Sequence, residues 1–216
     1  MRWRLQSVLA GLLLVMAGIV FAQSGDVAMV TLLQGRVGRV SPMGKQPVEA
    51  FTKLRHGDLL ALEKGSRVQL VYFENGRQET WAGAGKLEIA KAESMPTGLK
   101  APEIKVLPAL MVKQIVKTPV LDSQGRGGMM RLRSVATAGD VEKVEENYQR
   151  MRQEAAVNDL NPDLYLLSSM YELREFGKVE QALADLQQRQ KGNADVAGIV
   201  ALYTKALKTA HVAPAP

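Results

Sequence analysis

Apolar residues change their period once along this 216-residue chain, and that switch constrains the fold more than any other feature. Between about residues 27 and 90 they recur at every second position, with turn signals between them. From about residue 140 onward they recur at every third or fourth position. Period two turns one face of a strand inward, and a period near 3.6 turns one stripe of a helix inward. Between the two stretches lie Pro96, Pro102, Pro108 and Pro119 with Gly98, Gly125, Gly127 and Gly128, a density that breaks helices and favours extended backbone. The expected fold is a multidomain α and β chain. An all-β sandwich or roll occupies 23–92, a Pro/Gly-rich linker 93–137, an all-α set of helical hairpins 138–209, and a disordered tail 210–216. Within the linker, 104–107 and 112–116 are too apolar for a solvated tail and are expected to lie along one of the domains as a strand or short helix.

In the β part, Val27, Met29, Thr31 and Leu33 alternate before Gly35, and Val68, Leu70 and Tyr72 alternate before Glu74-Asn75-Gly76. The Asn-Gly pair predicts a two-residue type I′ turn, because both residues accept positive φ at low steric cost. His56-Gly57-Asp58 predicts another turn. Asp58 there is a candidate catalytic carboxylate, but an Asp beside Gly more often stabilises the turn through its own side chain. In the α part, Asp140 is placed as the cap of a helix with the stripe Val141, Val144, Tyr148, Met151 and Ala155. Asn161 and Pro162 open the next helix, with Leu164, Leu167, Ser168 and Tyr171 on one face, and Gly177 is placed as its stop. Val179, Ala182, Leu183 and Leu186 form a third stripe. Gly192-Asn193 breaks again before Val196, Ile199, Val200, Tyr203 and Leu207.

Residues 1–22 read as a secretory signal peptide. Arg2 and Arg4 precede an uncharged apolar run of 14 residues at 8–21, and Val20 and Ala22 suit the −3 and −1 positions of a cleavage site before Gln23. The run falls short of the roughly 18–20 apolar residues that span a bilayer, so a cleaved, periplasmic or secreted chain without a membrane span is expected. Losing the two arginines lowers the formal net charge of +6 by two, to +4, which calls for no nucleic-acid partner. The chain has no cysteine, so disulfides, Cys-ligated metal and thiol catalysis are excluded, as is acylation of the N-terminus as a lipoprotein. His56 and His211 are the only histidines and leave little room for an imidazole metal site or a histidine-based triad. Trp81–Lys86 fails as a phosphate loop, since Thr80 stands at the first glycine position and Leu87 follows the lysine. Arg126, Arg131 and Arg133 beside Gly125, Gly127 and Gly128 read as a solvated basic turn, with an anion-binding loop as the sharper alternative. No catalytic, cofactor-binding or metal-ligating residue is assigned.

The order Leu33-x-Gly35-x-Val37, Leu54-x-x-Gly57-Asp58-Leu59-Leu60, Gly65-Ser66-Arg67-Val68-x-Leu70, Glu74-Asn75-Gly76 and Leu87-x-Ile89 resembles the FecR-type domain, a small β module of bacterial periplasms and cell surfaces. The resemblance covers about residues 27–92, and its turn glycines and strand hydrophobics specify a fold better than an activity. The family's signal relay to a sigma factor is not carried over, because this chain shows neither a cytoplasmic anti-sigma segment nor a retained membrane helix. The stretch 164–186 is similar to one tetratricopeptide-type repeat, with Glu175-Phe176-Gly177-Lys178 as the turn and Ala182 as the small packing residue. Met170 stands where a small residue is usual, and no proline closes the repeat. These resemblances imply a non-enzymatic binding or scaffold protein of the bacterial cell envelope with a protein partner. The alternative is binding of peptidoglycan or a surface polysaccharide, for which Trp81 and Tyr72 are the candidate aromatics. An envelope signalling component and a hydrolase using Asp58 rank behind both.

Overall fold

The computed structural model describes residues 25–119 and 137–212. The period-two stretch forms two antiparallel sheets from β1 (Asp26–Gln34), β2 (Val37–Ser41), β3 (Gly44–Pro47), β4 (Lys53–Arg55), β5 (Leu59–Leu62), β6 (Arg67–Tyr72), β7 (Arg77–Ala82), β8 (Gly85–Ile89), β9 (Ser94–Thr97) and β10 (Glu103–Val106). The first sheet runs in the order β10-β7-β6-β1-β4 and the second in the order β3-β2-β5-β8-β9. Five helices follow among the described residues: α1 (Ala109–Ile115), α2 (Ala138–Glu154), α3 (Asn161–Glu172), α4 (Phe176–Arg189) and α5 (Ala194–Val212).

Two cores lie on opposite faces of the first sheet. Ala28, Val30, Val68, Leu70, Tyr72 and Trp81 meet Val37, Leu60, Leu62, Leu87 and Ile89 of the second sheet. On the other face Met29 and Val71 join Phe51, Leu107 and the buried stripes of the helices. Simple alternation in β1 is therefore overridden: Ala28, Met29 and Val30 are all buried because each side of that strand has a layer against it. The β and α parts thus share the second of these cores. A buried hydroxyl chain fixes the helices further, running from Thr118 to Ser168 (3.1 Å) and from Ser168 to Tyr203 (2.7 Å). Burial raises the Tyr203 phenol well above its ordinary range.

The proline-spaced stretch is built into this core. β9 pairs with β8, β10 pairs with β7, and α1 buries Met111, Val112 and Ile115. Its prolines fall where they cost no ladder bond: Pro96 on an edge strand, Pro102 before β10 and Pro108 at the N-cap of α1. At the other end α5 continues to Val212, so residues 210–212 belong to a helix. The leader at 1–22 and the arginines at 126, 131 and 133 lie outside the described residues, as does the end of the tail at 213–216.

Three local expectations are corrected. The turn after β6 is a four-residue loop rather than a type I′ pair. Only Gly76 has positive φ (68°), while Asn75 uses its side-chain oxygen to accept the Arg77 N–H at 3.0 Å. Gly76 is needed twice over, since a Cβ there would lie 2.7 Å from the Leu107 carbonyl oxygen. The cap of α2 is Thr137, and Asp140 is its reciprocal partner, accepting the Thr137 N–H (3.0 Å) and hydroxyl (2.7 Å). Those two bonds, the hydroxyl first, hold the Asp140 carboxyl below its ordinary range.

The third correction concerns the end of α3. Gly177 lies inside α4, and Arg174 (φ 62°) makes the left-handed turn instead. The Glu175 N–H reaches the Met170 carbonyl (3.0 Å) and the Arg174 N–H reaches Tyr171 (3.1 Å), the pair of bonds that closes a Schellman end. Arg174→Gly is expected to stabilise the protein by about 0.5–1 kcal/mol, the left-handed strain relieved less the added freedom of the unfolded chain. A urea titration showing equal or lower stability would contradict this reading of the turn.

Candidate functional site

The residues singled out for chemistry sit in structural positions. Asp58 accepts the Arg55 N–H at 2.8 Å across the Gly57 turn and lies 3.4 Å from the Arg39 guanidinium, so its oxygens hold a turn and a neighbouring strand. His56 is exposed at the tip of that turn. Tyr72 and Trp81, the aromatics considered for a sugar-binding face, are 0% and 2% exposed. Both belong to central strands of the first sheet, on the face covered by the second sheet, so neither offers a platform to a ligand. Burial raises the Tyr72 phenol, whose oxygen bonds Ser94 at 2.7 Å. Among the described residues no group of three or more His, Asp or Glu could hold a metal ion, and no helix is long and apolar enough to cross a membrane.

Two concavities bring charged and apolar side chains together. One, of about 900 Å³, opens between the segment around Phe51 and the start of α5. Its floor holds Phe51 at a positive φ of 66°, a strained setting for a bulky residue, beside the bare face of Gly198. Its charges are largely committed to the protein itself. Asp195 accepts the Leu33 N–H (3.1 Å), Lys53 donates to the Val116 carbonyl (2.7 Å), Arg39 pairs with Asp58, and Arg55 with Asp26 (3.4 Å). Burial raises the Asp195 carboxyl and lowers the Lys53 ammonium, as it does for groups held at a joint between layers. This cavity joins the sheet to the helices.

The other, of about 710 Å³, is a groove between α2, α3 and α4. The stripe spacings place these helices side by side: Val141, Val144 and Tyr148 of α2 rest against the core that holds Leu164, Leu167 and Met170 of α3 and Val179, Leu183 and Leu186 of α4. Leu166, Met170 and Ala182 supply an apolar floor. Beneath the rim sits Asp163, with its side chain 4% exposed, held by one cation from each flanking helix: Arg152 (3.1 Å) from α2 and Arg189 (2.7 Å) from α4. The Tyr148 hydroxyl donates to the same carboxylate at 3.1 Å. Burial first, and the Asp163 charge next, raise the Tyr148 phenol. At the rim Lys178 pairs with Glu145 at 2.5 Å. Glu142 and Glu146 have no ion-pair partner among the described residues, and Asp185 stands exposed beside them. The cations of the groove are therefore engaged, and its surplus charge is negative.

With this geometry in hand, comparison with known proteins adds no relative: no family model, curated protein or solved structure matches the chain significantly. Two residues that organise the structure carried no sequence signal. Asp163 follows Pro162 and looks like an ordinary first-turn acid of a helix. Glu79 looks like one polar position in an alternating strand, yet it is wholly buried.

Proposed function

We propose that the protein is a non-enzymatic binding module of the bacterial cell envelope, and that the groove between α2, α3 and α4 takes a cationic, partly apolar segment of a protein partner. The observation that carries this reading is the charge balance of the groove. Five acids (Glu142, Glu145, Glu146, Asp163 and Asp185) outnumber three bases (Arg152, Lys178 and Arg189) around the floor of Leu166, Met170 and Ala182. A ligand with lysine or arginine flanking an aliphatic side chain would satisfy both features. We read α3 and α4 as a tetratricopeptide-like hairpin and the two sheets as a FecR-type sandwich. In support of the latter, Gly35, Gly57, Gly65 and Gly76, which carry the FecR-like pattern, all have positive φ. Export rests on the leader-like sequence at 1–22.

Fluorescence anisotropy with labelled ten-residue peptides tests the groove. A peptide alternating Lys and Leu is expected to bind, and one with Glu in place of each Lys is not. Affinity should fall as salt rises. Glu146→Lys with Asp185→Lys is expected to weaken binding about tenfold or more, a loss of about 1.4 kcal/mol, with thermal stability kept. Equal affinity for both peptides, or indifference to the double substitution, would sink the reading.

A further inference from the structure

The edge of the first sheet at β10 carries a second interaction surface, independent of the groove. Among the described residues, β10 pairs with β7 alone and ends the sheet. The Leu107 N–H reaches the Gly76 carbonyl at 2.9 Å, on the β7 side. Alternation along the strand then turns the N–H and C=O groups of Ile104 and Val106 away from β7, toward open solvent. Their side chains are 49% and 69% exposed. Lys105 pairs with Asp159 (3.0 Å) and Glu103 lies 3.7 Å from Arg67, both surface pairs that give way at little cost to a partner across the edge. At one edge of the second sheet, β3 reads Gly-Lys-Gln-Pro, where Pro47 offers no backbone N–H.

We propose that β10 pairs with β10 of a second copy of this chain, antiparallel, about a two-fold axis through Ile104. That register is the one the charges select. It sets Glu103 of each copy opposite Lys105 of the other, whereas an axis through Lys105 would oppose two ammonium groups. It also suits the backbone. The two Ile104 residues exchange N–H···O=C bonds, and each Val106 N–H meets the carbonyl of Pro102 in the other copy, a residue that has no N–H to leave unpaired. Four residues a side bury little area, so the dimer is weak, with a Kd of about 10–100 μM.

Sedimentation velocity on the full chain from about 5 to 200 μM should show a concentration-dependent dimer. Ile104→Lys, which opposes two ammonium groups on the axis, should abolish it with melting temperature unchanged. Glu103→Lys and Lys105→Glu should each weaken it, and the two together should restore it to within about threefold. The absence of native cysteine permits a second measurement. Ile104→Cys should crosslink into a disulfide dimer under mild oxidation, since directly paired positions on an antiparallel ladder fall within disulfide reach. Met43→Cys, 94% exposed in the turn before β3, should not. A wild-type chain that stays monomeric over the whole range, a dimer indifferent to Ile104→Lys, or equal crosslinking at both positions would overturn the proposal.

Discussion

Asp163→Ala is expected to destabilise the protein by about 3–5 kcal/mol, the range seen when one partner of a buried ion pair is removed and the other stays behind. The carboxylate is 4% exposed and is the point where three helices meet: Tyr148 and Arg152 come from α2, Arg189 from α4, and Asp163 itself from the first turn of α3. Without it, two guanidinium groups lose the partner they share, Arg152 at 17% exposure and Arg189 at 42%. Arg152 keeps the Asp159 carbonyl (2.6 Å) but not its charge partner. Asp163→Asn, which preserves shape and one acceptor, should lose less. The triple change Asp163→Leu, Arg152→Met and Arg189→Met should be more stable than Asp163→Ala, because it leaves no charge stranded. The groove should respond too. Losing Asp163 takes one of the five acids that face three bases there, so affinity for a basic peptide should drop in Asp163→Ala even where the chain is folded. Urea titration at constant m-value measures the first effect. A loss below about 1 kcal/mol, the level of an exposed pair, would show that the carboxylate does not organise the helices.

The layers of the fold were legible in the sequence because they rest on local periodicity. Val179, Leu183 and Leu186, or Val196, Ile199 and Tyr203, are buried where the helical stripes place them. What was not legible is what long-range contact decides. The alternation of Val27, Met29, Thr31 and Leu33 marked one face of β1, yet Ala28 and Val30 are the residues that meet the second sheet, and Met29 meets the helices. Gly177 was the natural stop for α3 by conformational freedom, yet Arg174 takes the left-handed position, because the turn is placed by where α4 must pack. Asn161, placed at the opening of α3, also donates its side-chain amide to Gln78 on β7 at 2.6 Å, joining helix to sheet. Thr137-x-x-Asp140 was a readable capping box, and only the roles within it were misassigned. The groove could not be read at all. Asp163 and Arg189 are 26 residues apart and meet only when the helices stack. Its net charge depends on which cations that stacking consumes.

Glu79→Ala is expected to cost about 3–5 kcal/mol, again through stranded partners in a closed site, but here the sheets would part rather than the helices. Glu79 on β7 is 0% exposed and receives only donors. These are the Arg77 guanidinium at 2.6 Å, the Trp81 indole N–H at 2.9 Å and the Ser94 backbone N–H at 3.2 Å. Ser94 belongs to β9, so the carboxylate ties the first sheet to the edge strand of the second. Ser94 in turn holds the Tyr72 hydroxyl, so loss of the tie reaches the centre of the core. Glu79→Gln separates charge from shape. A glutamine offers one accepting oxygen and one NH₂ to a site lined by donors, so at least one buried donor must face another. Its expected cost is about 2–3 kcal/mol. The indole supplies the readout, since Trp81 and Trp3 are the only tryptophans. In a Trp3→Phe background, Trp81 emission should shift to the red at lower urea for Glu79→Gln, and lower still for Glu79→Ala. If Glu79→Gln unfolds at the wild-type midpoint, the negative charge contributes nothing to the joint. The polar tie between β9 and the first sheet would then rest on the Tyr72–Ser94 hydroxyl pair.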